Sequence, residues 1–198
     1  YSSDAREITL QVSNNGNKPA LVQAWIDEGD AKSTPDQSQA PFMITPPISR
    51  VDGNKGQKLK ISALHKSNAL SKTQETLYWL NILDIPPKPS AKNINDVPEN
   101  FLQLAIRSRI KFFYRPTEIK EDSSVASTKL EWSIQGTQLR VKNPTPFHIT
   151  LTTVNQDNAG KRVDLISQGL MLKPFSEDSI TLKSSNTSKM VFTSINDY

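Results

Sequence analysis

Residues 102–115 read LQLAIRSRIKFFYR, the longest strand-like run in the chain. Leu102, Leu104 and Ile106 alternate with Gln103, Ala105 and Arg107, which sets the aliphatics on one face of an extended segment. Arg107, Arg109, Lys111 and Arg115 fall within a nine-residue stretch of it. In an arbitrary protein, such a strand packs its apolar face inside its own sandwich. This one follows a polar, proline-containing loop, 86–101, and its cations continue along it, so it can also lie at a sheet edge with its aliphatics turned outward. Edge strands are normally protected, because unpaired N–H and C=O groups invite another chain to add on. An exposed one with large aliphatics is a liability or a binding device.

Outward from that run, period-2 alternation dominates and helical stripes are hard to find. Residues 6–14 put Ile8, Leu10 and Val12 on one face and stop at Asn-Asn-Gly-Asn, a turn signal. Residues 20–27 and 57–64 form further β-rich runs, and Phe42-Met43-Ile44 leads into Pro46-Pro47, which cannot sit in a central ladder. The stretch 76–85, TLYWLNILDI, is almost continuously apolar and reads as a fully buried strand. Residues 117–124 combine charges and serines with no apolar period and read as a linker. Short strands then recur near 129–134, 138–143, 147–154, 169–172, 178–182 and 189–196. Strands at this spacing with turns between them indicate β-sandwiches. The expected fold is all-β: one sandwich over 1–116, a linker over 117–124 and a second sandwich over 125–198.

The 198 residues include thirteen Pro, seven Gly and no Cys, with 35% hydrophobic residues. The absence of Cys excludes disulfides, thiolate metal sites and thiol nucleophiles. No apolar run approaches the roughly 20 residues that cross a bilayer as a helix. The chain opens without a basic segment and apolar run, so any export signal is expected to have been removed. The net charge of +4 lies in residues 1–116, with 15 Lys+Arg against 11 Asp+Glu; residues 117–198 carry 9 of each. Nucleic-acid binders spread a basic face widely among stacking aromatics. A single charged strand suggests a local anion site instead.

Catalytic motifs are missing: there is no G-x-S-x-G, G-x-G-x-x-G, phosphate-binding loop or H-E-x-x-H. The two histidines, His65 and His148, fall in different halves, which argues against a shared metal site or a Ser-His-Asp set. Asp27, Glu28 and Asp30 could in principle bind a cation, but a solvated strand end and turn is the better account of them. Asn186-Thr187-Ser188 matches a glycosylation acceptor and is read as a turn.

The segment from Leu102 to Pro116 closely resembles the signature of periplasmic pilus chaperones, the PapD-like family. Ser3-Asp4-Ala5-Arg6-Glu7, Phe42 to Arg50, and Leu77-Tyr78-Trp79-Leu80-Asn81 through Ile85-Pro86-Pro87 are similar to further family motifs. So are Asn143-Pro144-Thr145-Pro146-Phe147, Lys173-Pro174-Phe175-Ser176 and Ile195-Asn196-Asp197-Tyr198. Each is weak alone, and in this order they cover nearly the whole chain. The family's Asp-Arg pair before the Trp-containing strand is here Thr73-Gln74, and its pattern continues before Tyr1 and after Tyr198 with strand segments this sequence does not contain. The short loop 86–101 resembles the subclass that assembles rod-like pili.

The resemblance implies two immunoglobulin-like domains in an L-shaped arrangement with a cleft between them. It implies a periplasmic chaperone that binds, folds and caps pilus or fimbrial subunits and adhesin, then delivers them to an outer-membrane usher. Each subunit is an incomplete sandwich, and the chaperone completes it by donor-strand complementation. On this match Leu102, Leu104 and Ile106 plug the subunit's groove. Arg6 and Lys111 grip the subunit's C-terminal carboxylate, and Asp84, Arg115 and Asp197 form an interdomain salt-bridge set. Strict alternation from Leu102 puts Lys111 on the face opposite the plugs, so a bulge or strand twist is expected to reconcile the two roles. No cofactor, metal, nucleotide or nucleic acid is implied, and no residue is catalytic. Free molecules could pair as self-capping homodimers. The competing accounts are a two-domain immunoglobulin-like adhesion or receptor module, binding through loops, and a β-sandwich enzyme, which would need a carboxylate pair in a groove.

Overall fold

The computed structural model describes residues 1–64, 70–87, 102–158, 161–183 and 189–195. His65, the loop from residue 88 to 101, Asn186-Thr187-Ser188 and Asp197 lie outside the described residues. The chain divides into two compact units, Tyr1–Leu70 with Thr76–Tyr114, and Ser71–Glu75 with Arg115–Tyr198. Each is a pair of antiparallel sheets around its own apolar core, as an immunoglobulin-like domain requires.

The first unit contains β1 (Ile8–Asn14), β2 (Ala20–Asp27), β3 (Phe42–Thr45), β4 (Ile48–Val51), β5 (Lys55–Ala63), β6 (Thr76–Ile85) and β7 (Ile106–Tyr114). They form two sheets, in the orders β1-β5-β3 and β4-β2-β6-β7. The Pro46-Pro47 pair separates β3 and β4, and each of these is an outer strand of its own sheet, where missing N–H donors cost no ladder bond. The core joins Ala24 and Ile26 of β2, Leu59 and Ile61 of β5, and Tyr78 and Leu80 of β6 to an aromatic knot around Phe42. The Phe42 ring lies 5.0 Å from Phe112, 5.1 Å from Tyr78 and 5.6 Å from Tyr1, all three edge-on.

The apolar run of β6 is not fully buried. Tyr78 and Leu80 enter the core, while Leu77, Leu83 and Ile85 are half-exposed and Asp84 is exposed. Its other face belongs to the outside of the sheet, which no further layer of strands covers among the described residues; side chains of the neighbouring strands cover part of it.

The second unit begins with a 3-10 helix, Ser123–Lys129, capped by the Asp122 carboxylate accepting from Ser124 N–H at 2.8 Å. It continues with β8 (Glu131–Gln135), β9 (Gln138–Lys142), β10 (Ile149–Asn158), β11 (Lys161–Asp164), β12 (Leu170–Leu172), β13 (Glu177–Thr181) and β14 (Lys189–Ile195). One sheet has the order β13-β9-β8; in the other, β10 pairs with β11, β12 and β14. Two distant motifs of the sequence meet here. The Asn143 side chain donates to Phe147 O at 2.7 Å and Lys173 O at 2.9 Å, and Phe175 N–H donates to Thr145 O at 3.2 Å. Asn143 and Thr145 are wholly buried, so their polar groups must be satisfied within this knot.

Candidate functional site: the edge strand β7

Among the described residues β7 is the last strand of its sheet. Its register with β6 runs unbroken from Ile106 opposite Asp84 to Tyr114 opposite Thr76. No bulge interrupts it, so of the two expected devices, a bulge or strand twist, the bulge is absent and alternation is strict. Residues 106, 108, 110, 112 and 114 face one way; 107, 109, 111 and 113 face the other.

The even-numbered face is the core face. Phe112 and Tyr114 are buried against Phe42, which comes from the opposite sheet. Toward the start of the strand the row emerges into solvent: Ile110 is 54% exposed, Ile106 64%, Leu104 62% and Leu102 82%. The aliphatics continue the core's apolar face past the point where the domain's own second sheet covers it. Leu102 and Leu104 precede the ladder, because β6 ends at Ile85 and offers no partner there. The strand is therefore shorter than the run 102–115 suggested.

The odd-numbered face carries a charged layer. Asp27, at the end of β2, is wholly buried and accepts from Arg109 Nη2 at 2.6 Å and from Asn81 Nδ2 at 2.8 Å. It also accepts from Gly29 N–H at 2.7 Å and from Arg107 Nη2 at 3.4 Å. Arg107 Nε donates to Asn81 Oδ1 at 2.9 Å, and its Nη1 to Ala31 O at 2.8 Å. The Arg107 guanidinium sits 4.6 Å from the Trp25 ring centroid, and that of Arg109 4.2 Å from Trp79. Burial by itself raises the Asp27 carboxyl pKa, but the bonds from Arg109, Asn81 and Gly29 and the charge of Arg109 outweigh it and hold it below the ordinary carboxylate value. Asp27 is thus neither a cation ligand nor a solvated turn residue. Part of the signal was in the sequence, since Trp25 and Asp27 alternate with Ala24 and Ile26 and Arg107 and Arg109 share a parity; the register that joins the three strands was not.

Lys111 lies on this second face and is half-buried, and desolvation lowers its pKa from 10.5. Arg6 is exposed. Tyr1 relates the Arg6 segment to β7: its hydroxyl donates to Ala5 O at 2.7 Å and Arg6 O at 3.4 Å, and its backbone nitrogen donates to Phe113 O at 2.7 Å. Tyr1 thus ties the backbone of residues 5–6 to that of Phe113 in β7 and, by accepting from Ala63 N–H at 3.1 Å, to β5.

Of the remaining three expected site residues, Asp84 is exposed at the end of β6, opposite Ile106. Arg115 belongs to the second unit, where its Nε donates to Glu75 Oε1 at 2.8 Å and its Nη1 to Ser123 Oγ at 3.1 Å. The second Glu75 oxygen accepts from His148 N–H at 2.8 Å. Glu75, almost fully buried, was not singled out from the sequence, where a lone Glu ahead of a strand looks like any solvated residue.

Family models match both units: the N-terminal domain of PapD-type pili and flagellar-assembly chaperones over residues 1–120, and the PapD pilus-assembly chaperone C-terminal domain over 125–198. The chaperone protein MrkB of Klebsiella pneumoniae is 46% identical over 201 residues, covering 100% of this chain and 83% of that protein. The crystal structure of the Escherichia coli YadV chaperone superposes with a TM-score of 0.78 at 35% identity, covering 100% of this chain and 89% of that one. The SafB chaperone, solved in complex with the Salmonella enterica SafA pilin, matches with a TM-score of 0.72 at 26% identity over 98% of this chain and 91% of that one.

Proposed function

The chain belongs to the PapD-like family of pilus-assembly chaperones, and from this membership we propose that it caps pilus subunits by lending them the edge of its first domain. It is a chaperone of pilus assembly and not an enzyme. A generic adhesion or receptor fragment is not favoured, since the relatives above are all chaperones.

The observation that carries the capping role is the row Leu102, Leu104, Ile106 and Ile110, exposed yet continuous with the buried Phe112 and Tyr114. A subunit lacking one strand of its sandwich has an open groove and an unpaired ladder. An extended edge answers both needs, with main-chain hydrogen bonds along the strand and alternate side chains inserted in the groove. Three aliphatics at about 1.5–3 kcal/mol each supply roughly 5–9 kcal/mol before the cost of association. No nucleotide is required, because the energy comes from burial.

Arg6 and Lys111 receive the subunit's C-terminal carboxylate in this scheme. A half-buried ammonium disfavoured by desolvation gains from an incoming carboxylate, and the charge-assisted contact fixes where along the edge the subunit stops. Capped subunits and adhesin pass to an outer-membrane usher from the periplasm, and free molecules hide the sticky edge by pairing.

The test is co-expression with subunits of the same pilus system and co-purification. Leu104→Asp is expected to lose the subunit by more than tenfold while keeping a wild-type melting temperature, because the residue is exposed in the free protein. Undiminished co-purification of the variant would end the capping proposal.

A further inference from the structure

The exposed stretch of β7 poses a physical problem. Between Ile106 and Ile110 its inner face is left to solvent, so the fold gains little there from apolar burial. An edge strand without burial beneath it is held only by its ladder to one neighbour, and such segments open locally at low cost. Its geometry must nevertheless persist, because an insertion device that frays loses affinity to the entropy of straightening.

We propose that Asp27 is the positioning residue of this strand: from β2 it reaches across β6 and pins Arg107 and Arg109 of β7 to the outer face of the sheet, so that Ile106 and Ile110 stay presented on the other. The assignment rests on the capping role proposed above. Three adjacent strands are laced through side chains alone, β2 by Asp27, β6 by Asn81 and β7 by the two arginines. Every contact falls at 107 and 109, the two positions that alternate with the exposed aliphatics. The guanidiniums lie over Trp25 and Trp79, so the carboxylate end of the ion pairs is out of water while the arginines are only partly exposed. The outer face thus provides the adhesion that the inner face gives up for its ligand.

The division of labour also explains an imbalance of charge. One buried carboxylate serves two arginines, which is wasteful for stability but suits a fork that must grip two successive turns of the pleat on the same side. Arg109 is the tighter partner, at 2.6 Å, and Arg107 is shared with Asn81 and Ala31 O.

The experiment is amide hydrogen exchange on the full free chain, wild type against Asp27→Asn, which keeps the shape and removes the charge. Exchange of the 106–110 amides is expected to accelerate roughly tenfold or more, with Phe112–Tyr114 and the second unit unchanged. In parallel, the complex of the variant with a purified pilus subunit is expected to dissociate faster. Unchanged exchange at 106–110 would overturn the proposal, and so would acceleration spread evenly over the whole first unit, which marks a mere stability residue. Looser 106–110 amides with an unaltered subunit dissociation rate would overturn it too. If Asp27→Asn does not fold, Arg107→Gln, which leaves the Asp27–Arg109 pair intact, is expected to give a smaller acceleration at the same amides, and no change there overturns the proposal. Should the wild type bind no subunit, the capping role fails, while the exchange data still decide whether the clamp exists.

Discussion

At the scale of single residues, the burial of Lys111 gives its proposed contact with a carboxylate a pH signature. Desolvation lowers its pKa, so the ammonium form costs the free protein more than it costs the unfolded chain. A bound carboxylate would raise that pKa again, and binding is therefore linked to proton retention. The sign follows: subunit affinity is expected to be flat near neutral pH and to decline as the pH rises through the lowered value toward 10.5. Over the same range, Lys111's own contribution to stability improves, since the neutral form suits its surroundings. Weakening of the complex at alkaline pH thus cannot be ascribed to Lys111 unfolding the protein. Calorimetric titration of wild type and Lys111→Met at several pH values checks this. The variant is expected to bind more weakly at pH 7 and to lose the alkaline decline; a decline of equal size in both would remove Lys111 from the carboxylate site.

At the scale of the element, β7 divides one face between two tasks. Phe112 and Ile110 are neighbours on the same side, yet one is buried and the other half out in water. Phe112→Ala should cost about 3–5 kcal/mol of stability by opening a cavity beneath Phe42, whereas Ile110→Ala should leave chemical denaturation nearly unchanged. Subunit retention should fall in both, through loss of fold in the first and loss of contact in the second. Much of this element was legible in the sequence, because alternation fixes which residues share a face and the cations mark the opposite one. Its start was not, since Leu102 and Leu104 alternate as well as any strand residues do and only the end of β6 at Ile85 cuts the ladder. For the same reason 76–85 passed for a buried strand: Leu83 and Ile85 are apolar, but they face the outside of the sheet. The clamp of Asp27 lay further from view, because it runs diagonally across three strands, from Asp27 in the row of Trp79 to Asn81 and Arg109 in the next same-face row and Arg107 in the one after, which a single strand's pattern does not encode. Neither the strand β11, four residues long, nor the 3-10 helix, which begins at the last two residues of the expected linker and runs into the second sandwich, follows from the sequence pattern.

At the scale of the whole molecule, the chain enters the second unit twice, at Ser71–Glu75 between β5 and β6 and again at Arg115. Within that unit the two visits meet, because Glu75 accepts from Arg115 and from His148 N–H, and Glu75 N–H donates to Pro146 O at 2.9 Å. A carboxylate with almost no exposure is tolerable only with such partners. Glu75→Ala removes the carboxylate that accepts from Arg115 Nε and from His148 N–H, at an expected cost of about 1.5–3 kcal/mol to the second unit. The first unit feels the change differently. Its strands β5 and β6 are joined through residues 64–75, and release of Ser71–Glu75 merely turns a tethered connection into a looser one. Loop-closure entropy grows slowly with length, by about 0.6 kcal/mol per doubling, so the penalty there should stay below about 1 kcal/mol. The tryptophans separate the two effects, since Trp25 and Trp79 belong to the first unit and Trp132 to the second. In urea titrations of single-tryptophan variants, Glu75→Ala should shift the Trp132 transition to clearly lower denaturant and the Trp25 or Trp79 transition only slightly. Equal shifts at all three would mean that the two cores unfold as one cooperative body, and that Glu75 supports the whole chaperone rather than its second domain alone.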